Sequence, residues 1–143
     1  MEFTQGIRIQ KYTVQIRPRY AETDQGGVVH HSVYPVWFEI GRTELLRANG
    51  LVYKELEEKG VFFVMARIEI KYRQPARYDE LLDLETACTK VSTCKIEHSY
   101  ILRRAKDALI LAEGSSVLAC IDKKGKVQRI PEYMYPARQQ TTV

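Results

Sequence analysis

Helical periodicity occupies one long stretch of this chain and strand periodicity nearly all the rest, and the two are segregated rather than interleaved. From Val33 the apolar residues Val33, Val36, Trp37 and Ile40 recur at helical spacing, with Gly41 on the same side, where it lets a helix approach a sheet closely. The run continues to about Ala48, where Asn49-Gly50 supplies a stop, and a second short helix is expected over Val52 to Lys59. Before it, Lys11 to Tyr20 alternates Tyr12, Val14 and Ile16 against polar neighbours, and Pro18 near its end marks an edge or a bulge. After it come Val61 to Tyr72, Leu81 to Lys90, Lys95 to Arg104 and Leu109 to Ile121. A hairpin turn follows at Asp122 to Lys126, and Val127 to Ile130 closes on Pro131. The order is one strand, one long helix and then four or five strands in succession, and such segregation implies an α+β fold, an antiparallel sheet wrapped on one central helix.

At 143 residues the chain suits a single domain spanning 1–143, with a core over roughly residues 10 to 131 and a tail from Tyr135 to Val143 that is expected to fray. Hydrophobic residues make up 45% and no segment approaches the ~18 consecutive apolar residues of a membrane span, so a soluble chain is expected. Met1 to Gly6 lacks the basic and apolar regions of a secretory signal, which points to the cytoplasm. Cys88, Cys94 and Cys120 form no Cys-x-x-Cys pair and read as reduced structural thiols. His30 and His31 are adjacent, with no Cys or His at metal-ligand spacing around them, so no metal is expected. A net charge of +4 suits an anionic ligand, but the 22 basic residues are spread along the chain rather than gathered in a stripe, and nucleic acid is not an expected partner.

Reactive groups concentrate between Tyr20 and His31, where a phenol, two carboxylates, a Gly pair and two imidazoles fall within twelve residues. The segment carries the chain from a strand into the long helix. The first N–H groups of a helix lack intrahelical partners and sit at the positive end of its dipole, so they suit an anion or a developing oxyanion. Pro35 fits the first helical turn and Ser32 is a plausible cap. Asp24 reads either as the cap of a turn at Gly26-Gly27 or as a carboxylate aimed at those donors. His31 reads either as a candidate for the same site or as a neutral core or cap histidine, His30 as a wall residue and His98, in an alternating strand, as structural; Tyr20 either hydrogen-bonds the site or packs as a strand-end aromatic.

With Tyr20, Asp24, Gly26, Gly27, Val28, Val29, His31 and Tyr34 in that loop, the chain closely resembles the hotdog-fold acyl-CoA thioesterases of the 4-hydroxybenzoyl-CoA thioesterase type. Its most specific part is Arg19-Tyr20-x-x-x-Asp24-x-x-Gly27-Val28-Val29-x-His31-x-x-Tyr34, followed by Glu39-x-x-Arg42-x-Glu44; Tyr72-Arg73-Gln74-Pro75-Ala76-Arg77-Tyr78-Asp79 is a second echo. The resemblance implies a catalytic loop carboxylate, Asp24, acting as nucleophile or general base, with His31 and Tyr20 beside it and main-chain N–H groups at the helix start polarising the thioester carbonyl. It implies an acyl-CoA or acyl carrier protein substrate, no cofactor beyond the coenzyme A of the substrate itself, and a homodimer or homotetramer with active sites at the subunit interface. Some members carry the carboxylate on the central helix, which makes Glu39 the reserve candidate; otherwise Glu39 and Arg42 read as a helix-surface ion pair. Lys90, Ser92, Thr93 and Lys95 are candidate contacts for the carrier's phosphates, or a solvated turn. This chain has His30 where many bacterial relatives have an aromatic residue, and Ser92-Thr93-Cys94 where some members have adjacent arginines. Hydration of an enoyl thioester and non-catalytic acyl-CoA binding are the competing functions. Trp37, Phe38, Phe62 and Phe63 exceed what one helix in so small a domain is expected to bury, which also argues for a dimer.

Overall fold

The computed structural model describes residues 6–136. Its strands are β1 (Lys11–Ile16), β2 (Phe62–Tyr72), β3 (Leu82–Val91), β4 (Lys95–Arg104) and β5 (Ile110–Ile121), with helices α1 (Tyr34–Ala48) and α2 (Tyr53–Glu58) between β1 and β2. They form one five-stranded sheet in the order β1-β3-β4-β5-β2, every neighbouring pair antiparallel. The expected α+β architecture is therefore present. β1 is shorter than its alternation suggested: it ends at Ile16, and Tyr20 lies in a separate 3-10 turn, Tyr20–Glu22. Pro18, which has no N–H to continue a ladder, sits between them. Val127 adds only an isolated bridge to Ile121.

Two glycines set how closely α1 and its aromatics lie on the sheet. A Cβ on Gly41 would collide with Thr86 Oγ1 and approach Leu84 Cδ2 at 3.0 Å, so the helix rests directly on β3. A Cβ on Gly114 would meet Phe38 Cε2 at 2.6 Å, and in that space the Phe38 ring stacks on Tyr100, centroids 4.2 Å apart. Trp37 and Phe38 are consequently buried within one chain, contrary to the expectation that they need a second subunit, whereas Phe62 and Phe63, covered by the same expectation, are only half-buried. Gly41 on the helix and Gly114 on β5 bring the sheet close enough to supply the cover itself. Each such large side chain contributes on the order of 1.5–3 kcal/mol by leaving water.

The helix stops at Asn49, whose side chain takes over as a strut: Nδ2 donates to the carbonyls of Leu45 (3.0 Å) and Ile9 (2.8 Å), and Oδ1 accepts from the N–H groups of Arg8 and Ile9. Gly50 then turns with φ +81°, a conformation that favours glycine. Tyr135 and Pro136, expected to fray, are held: the Ile7 N–H donates to the Tyr135 carbonyl (2.8 Å), Tyr135 Oη donates to the Ser92 carbonyl (3.1 Å) and Pro136 bridges Ile7. The rest of the expected tail lies outside the described residues.

The two sheet edges differ. β1 is six residues long and turns Lys11, Thr13 and Gln15 to solvent. β2 is eleven residues long and exposes Val64, Met65, Ile68 and Tyr72. Among the described residues no helix is long and apolar enough to cross a membrane.

Candidate active site

The loop between β1 and α1 is fastened at its base by Glu22. This buried carboxylate accepts the Arg19 N–H at Oε1 (2.7 Å) and the Trp37 indole N–H at Oε2 (3.2 Å), while its carbonyl accepts the His30 N–H (2.9 Å). One residue thereby joins both limbs of the loop to the central helix. Above it the chain makes a tight reversal: Asp24 N–H donates to the Val28 carbonyl (2.9 Å), the Gly27 N–H to the Asp24 carbonyl (3.0 Å), and Gly27 turns with φ +80°. The Val29 N–H donates to the Ala76 carbonyl (2.8 Å), clamping the reversal onto the passage after β2.

Asp24 caps the turn, as one of its two sequence readings held, with only one of its carboxylate oxygens. Oδ1 accepts the Gly26 N–H at 2.8 Å and caps the turn; Oδ2 has no hydrogen-bond partner among the described residues, and the side chain is exposed. It opens on a cleft of about 340 Å³ whose walls include His31, Tyr34, Tyr72 and Gln74. At the junction with α1, the N–H groups of Val29, His30, Ser32 and Val33 are all engaged within the protein. That of His31 is not bonded among the described residues, and it opens the 3-10 turn His31–Val33 that runs directly into the fifteen-residue α1. The His31 carbonyl accepts the Tyr72 hydroxyl (2.9 Å), which ties the exposed edge strand to the helix start. Tyr34 Oη accepts the Ala76 N–H (3.2 Å), its ring packs edge-on against Tyr72, and burial pushes both phenols up. Both are neutral hydroxyls near pH 7. The cleft thus offers an unencumbered carboxylate oxygen, a main-chain donor and two phenols, enough to attack a carbonyl carbon and stabilise the oxyanion that forms.

Other sequence candidates lie elsewhere. Tyr20 is 77% exposed, its ring set edge-on to Tyr78 at 5.3 Å, and it does not line the cleft; its carbonyl instead receives both the N–H and the hydroxyl of Thr23. α1 itself has no side-chain cap; His30, rather than Ser32, caps the 3-10 turn that leads into it, its Nδ1 accepting the Ser32 N–H (3.2 Å), and its ring lies tilted against that of His31. Glu39 is exposed on α1 and is not a wall of the cleft. Its expected ion pair with Arg42 is absent, because Arg42 turns inward and donates to the Tyr100 hydroxyl (3.1 Å). Lys90, Ser92, Thr93 and Lys95 surround the β3–β4 hairpin, where the Ser92 N–H donates to the Lys95 carbonyl. That hairpin is at the far end of ten-residue strands from the cleft, roughly 30 Å away at ~3.3 Å per residue. Within one chain they do not meet Asp24. His98 is buried, as expected of a structural histidine, and Cys88, Cys94 and Cys120 are free thiols. Among the described residues no three His, Cys, Asp or Glu side chains are grouped to hold a metal ion.

Sequence reasoning missed Tyr34, Tyr72 and Gln74 as cleft walls. The signal was the Tyr72 to Asp79 passage, a dense aromatic, Arg and Pro stretch to which no role was attached.

Residues 18–137 match the model of the thioesterase-like superfamily. The acyl-CoA thioesterase YbgC of Haemophilus influenzae is 35% identical over 112 residues, 78% of this chain and 81% of that one. The acyl-CoA thioester hydrolase YbgC of Escherichia coli is 31% identical over 118 residues, 82% of this chain and 87% of its own. Among solved structures, the DHNA-CoA thioesterase of Staphylococcus aureus superposes with a TM-score of 0.82 at 28% identity, covering 86% of this chain and 83% of its own.

Proposed function

This chain belongs to the thioesterase-like superfamily and has its hotdog fold, and from that premise we propose that it hydrolyses acyl-CoA thioesters with Asp24 as the catalytic carboxylate and the His31 N–H as oxyanion donor. The observation that carries the reading is the conjunction, in one cleft, of an exposed carboxylate oxygen and an unbonded main-chain N–H at a helix start. The substrate carbonyl points its oxygen at that N–H. Asp24 Oδ2 then either adds to the carbonyl carbon, giving an anhydride that water cleaves, or takes a proton from the water that adds. Both routes expel the thiolate, which leaves as the thiol, and both yield the free acid. A main-chain oxyanion donor of this kind contributes about 10²–10³ in rate. Tyr34 and Tyr72 wall the acyl group, and Tyr20 acts through its carbonyl, which holds Thr23 and so the approach to Asp24.

The enzyme assembles through β2. An edge of eleven residues bearing Val64, Met65, Ile68 and Tyr72 is a pairing template unless covered, and an isologous pair joins β2 to its copy antiparallel. That pairing sets the end of one sheet carrying the β3–β4 hairpin beside the end of the other carrying the cleft. Lys90, Ser92, Thr93 and Lys95 of the hairpin then serve the carrier's phosphates in trans, on a coenzyme A or acyl carrier protein substrate. Further pairing to a homotetramer leaves this geometry intact. Sedimentation is expected to give a dimer or tetramer whose dilution abolishes activity; a fully active 16.6 kDa monomer overturns the shared site.

The function is tested by a panel of aliphatic and aromatic acyl-CoA substrates with free thiol as the readout. Thiol release from at least one is expected. Consumption of an enoyl-CoA without thiol release would make the protein a hydratase, and an inert panel would sink the hydrolase reading.

A further inference from the structure

Beneath the C-terminal half of α1 the core holds a permanent positive charge that no carboxylate answers. Arg42 is only 9% exposed, and its Nη1 donates to the Tyr100 hydroxyl, which is bonded in turn to Ser116 Oγ (2.5 Å). A guanidinium does not give up its proton in a protein, and burying one without an anion is strongly unfavourable. Yet Arg42 takes part in no ion pair among the described residues. The acids of its own helix turn elsewhere: Glu44 pairs with Arg47, and Glu39 faces solvent.

Arg42 lines a cavity of about 30 Å³, room for one or two water-sized species. No Asp or Glu contributes to its wall, which is otherwise mostly apolar, with Leu45, Val91, Ile96 and Met134 among its residues. His98 lines the same cavity, is 6% exposed, and its Nδ1 has no hydrogen-bond partner. Burial first, and then the charge of Arg42, push the imidazole down to about 3, so His98 is neutral near pH 7 and in one tautomer presents an Nδ1–H with nothing to receive it. The remaining groups that can ionise there supply no countercharge. Burial pushes the Tyr53 phenol up to about 12 and the Cys88 thiol up to about 11. The Asn49 amide is already engaged at both ends by backbone.

We infer that this cavity binds a small monovalent anion of halide size, held between the Arg42 guanidinium and the Nδ1–H of His98. A water would satisfy the orphaned nitrogen but leave the charge unanswered; a halide does both in the same volume. The site is separate from the catalytic cleft, since the two share no wall residue. Its occupancy is a property of the folded chain and does not depend on the thioesterase reading.

Crystals of the intact protein soaked in bromide are expected to give an anomalous peak beside Arg42 and His98. In solution, chloride or bromide should raise the melting temperature by about 3–5 °C over gluconate, an anion too large for the cavity, at equal ionic strength. Arg42→Met, which keeps an apolar stem and removes the charge, should abolish the difference. Should that variant fail to fold, the wild-type bromide map decides alone. A cavity holding only water in bromide-soaked crystals, or a wild-type melting temperature indifferent to halide, overturns the site.

Discussion

At the base of the loop Glu22 is buried, with both carboxylate oxygens engaged by Arg19 and Trp37; at its tip Asp24 is exposed, with Oδ1 held by the Gly26 N–H and Oδ2 open to the cleft. The two acids stand two residues apart and carry the same functional group. Their surroundings give them opposite work. A carboxylate whose lone pairs are all directed into the protein fixes geometry and cannot approach a substrate. One that is half engaged is oriented by its bonded oxygen and keeps the other for reaction. The rigid base also makes the tip useful, because an attacking oxygen contributes most when its direction is set beforehand.

The comparison breaks hardest at the tip. Asp24→Asn keeps an oxygen for the Gly26 N–H and the shape of the turn, but removes the proposed nucleophile or base. We expect kcat to fall by about 10²–10⁴ with the denaturation midpoint nearly unchanged. Glu39→Gln, made alongside, should alter kcat less than about twofold, since an exposed acid outside the cleft falls among the substitutions that change little. A dead Glu39→Gln beside an active Asp24→Asn would move the chemistry from the loop to the helix.

At the base the expected result is the reverse. Glu22→Gln retains the volume but replaces one acceptor oxygen with an NH₂ that faces the indole N–H of Trp37 or the N–H of Arg19. Losing a charge-assisted bond in a buried site costs about 1–3 kcal/mol, read as a lowered midpoint in denaturant. The folded fraction should turn over at close to the normal kcat. A large loss of kcat with no loss of stability would mean that Glu22 takes part in the reaction.

Local patterns carried far in this chain, and long-range ones did not. Alternation alone located Lys95–Arg104 as it stands and the other sheet-core strands to within a residue at either end, because each turns one face to the core. The density of titratable groups before α1 located the cleft, and Asp24 and His31 do line it. Glu22 and Asp24 could not be told apart from sequence, because Trp37, fifteen residues on, decides which of them is buried. Arg42 looked like half of a surface pair because helical spacing reports which residues are neighbours, not which way a long side chain turns. Trp37 and Phe38 seemed too large for one chain because the close approach at Gly41 and Gly114 is a property of how helix and sheet meet across the sequence.

The smallest effect should come from Tyr72, whose side chain links the edge strand to the helix start that follows the loop. Its hydroxyl donates to the His31 carbonyl across 41 residues of sequence, in a half-exposed setting where water can replace it. Tyr72→Phe leaves the ring against Tyr34 and deletes that single neutral bond, worth about 0.5–1.5 kcal/mol at most. If the bond steadies His31, and with it the oxyanion donor, the loss appears in kcat rather than KM and stays within about tenfold. Because β2 is also the proposed subunit edge, the same variant reports whether assembly reaches the proposed catalytic loop through this contact: activity should become more sensitive to dilution than in the parent. Unchanged kinetics at every protein concentration would separate the edge strand from the site, and leave Glu22 and the Val29–Ala76 backbone bond as tethers of the loop that carries Asp24.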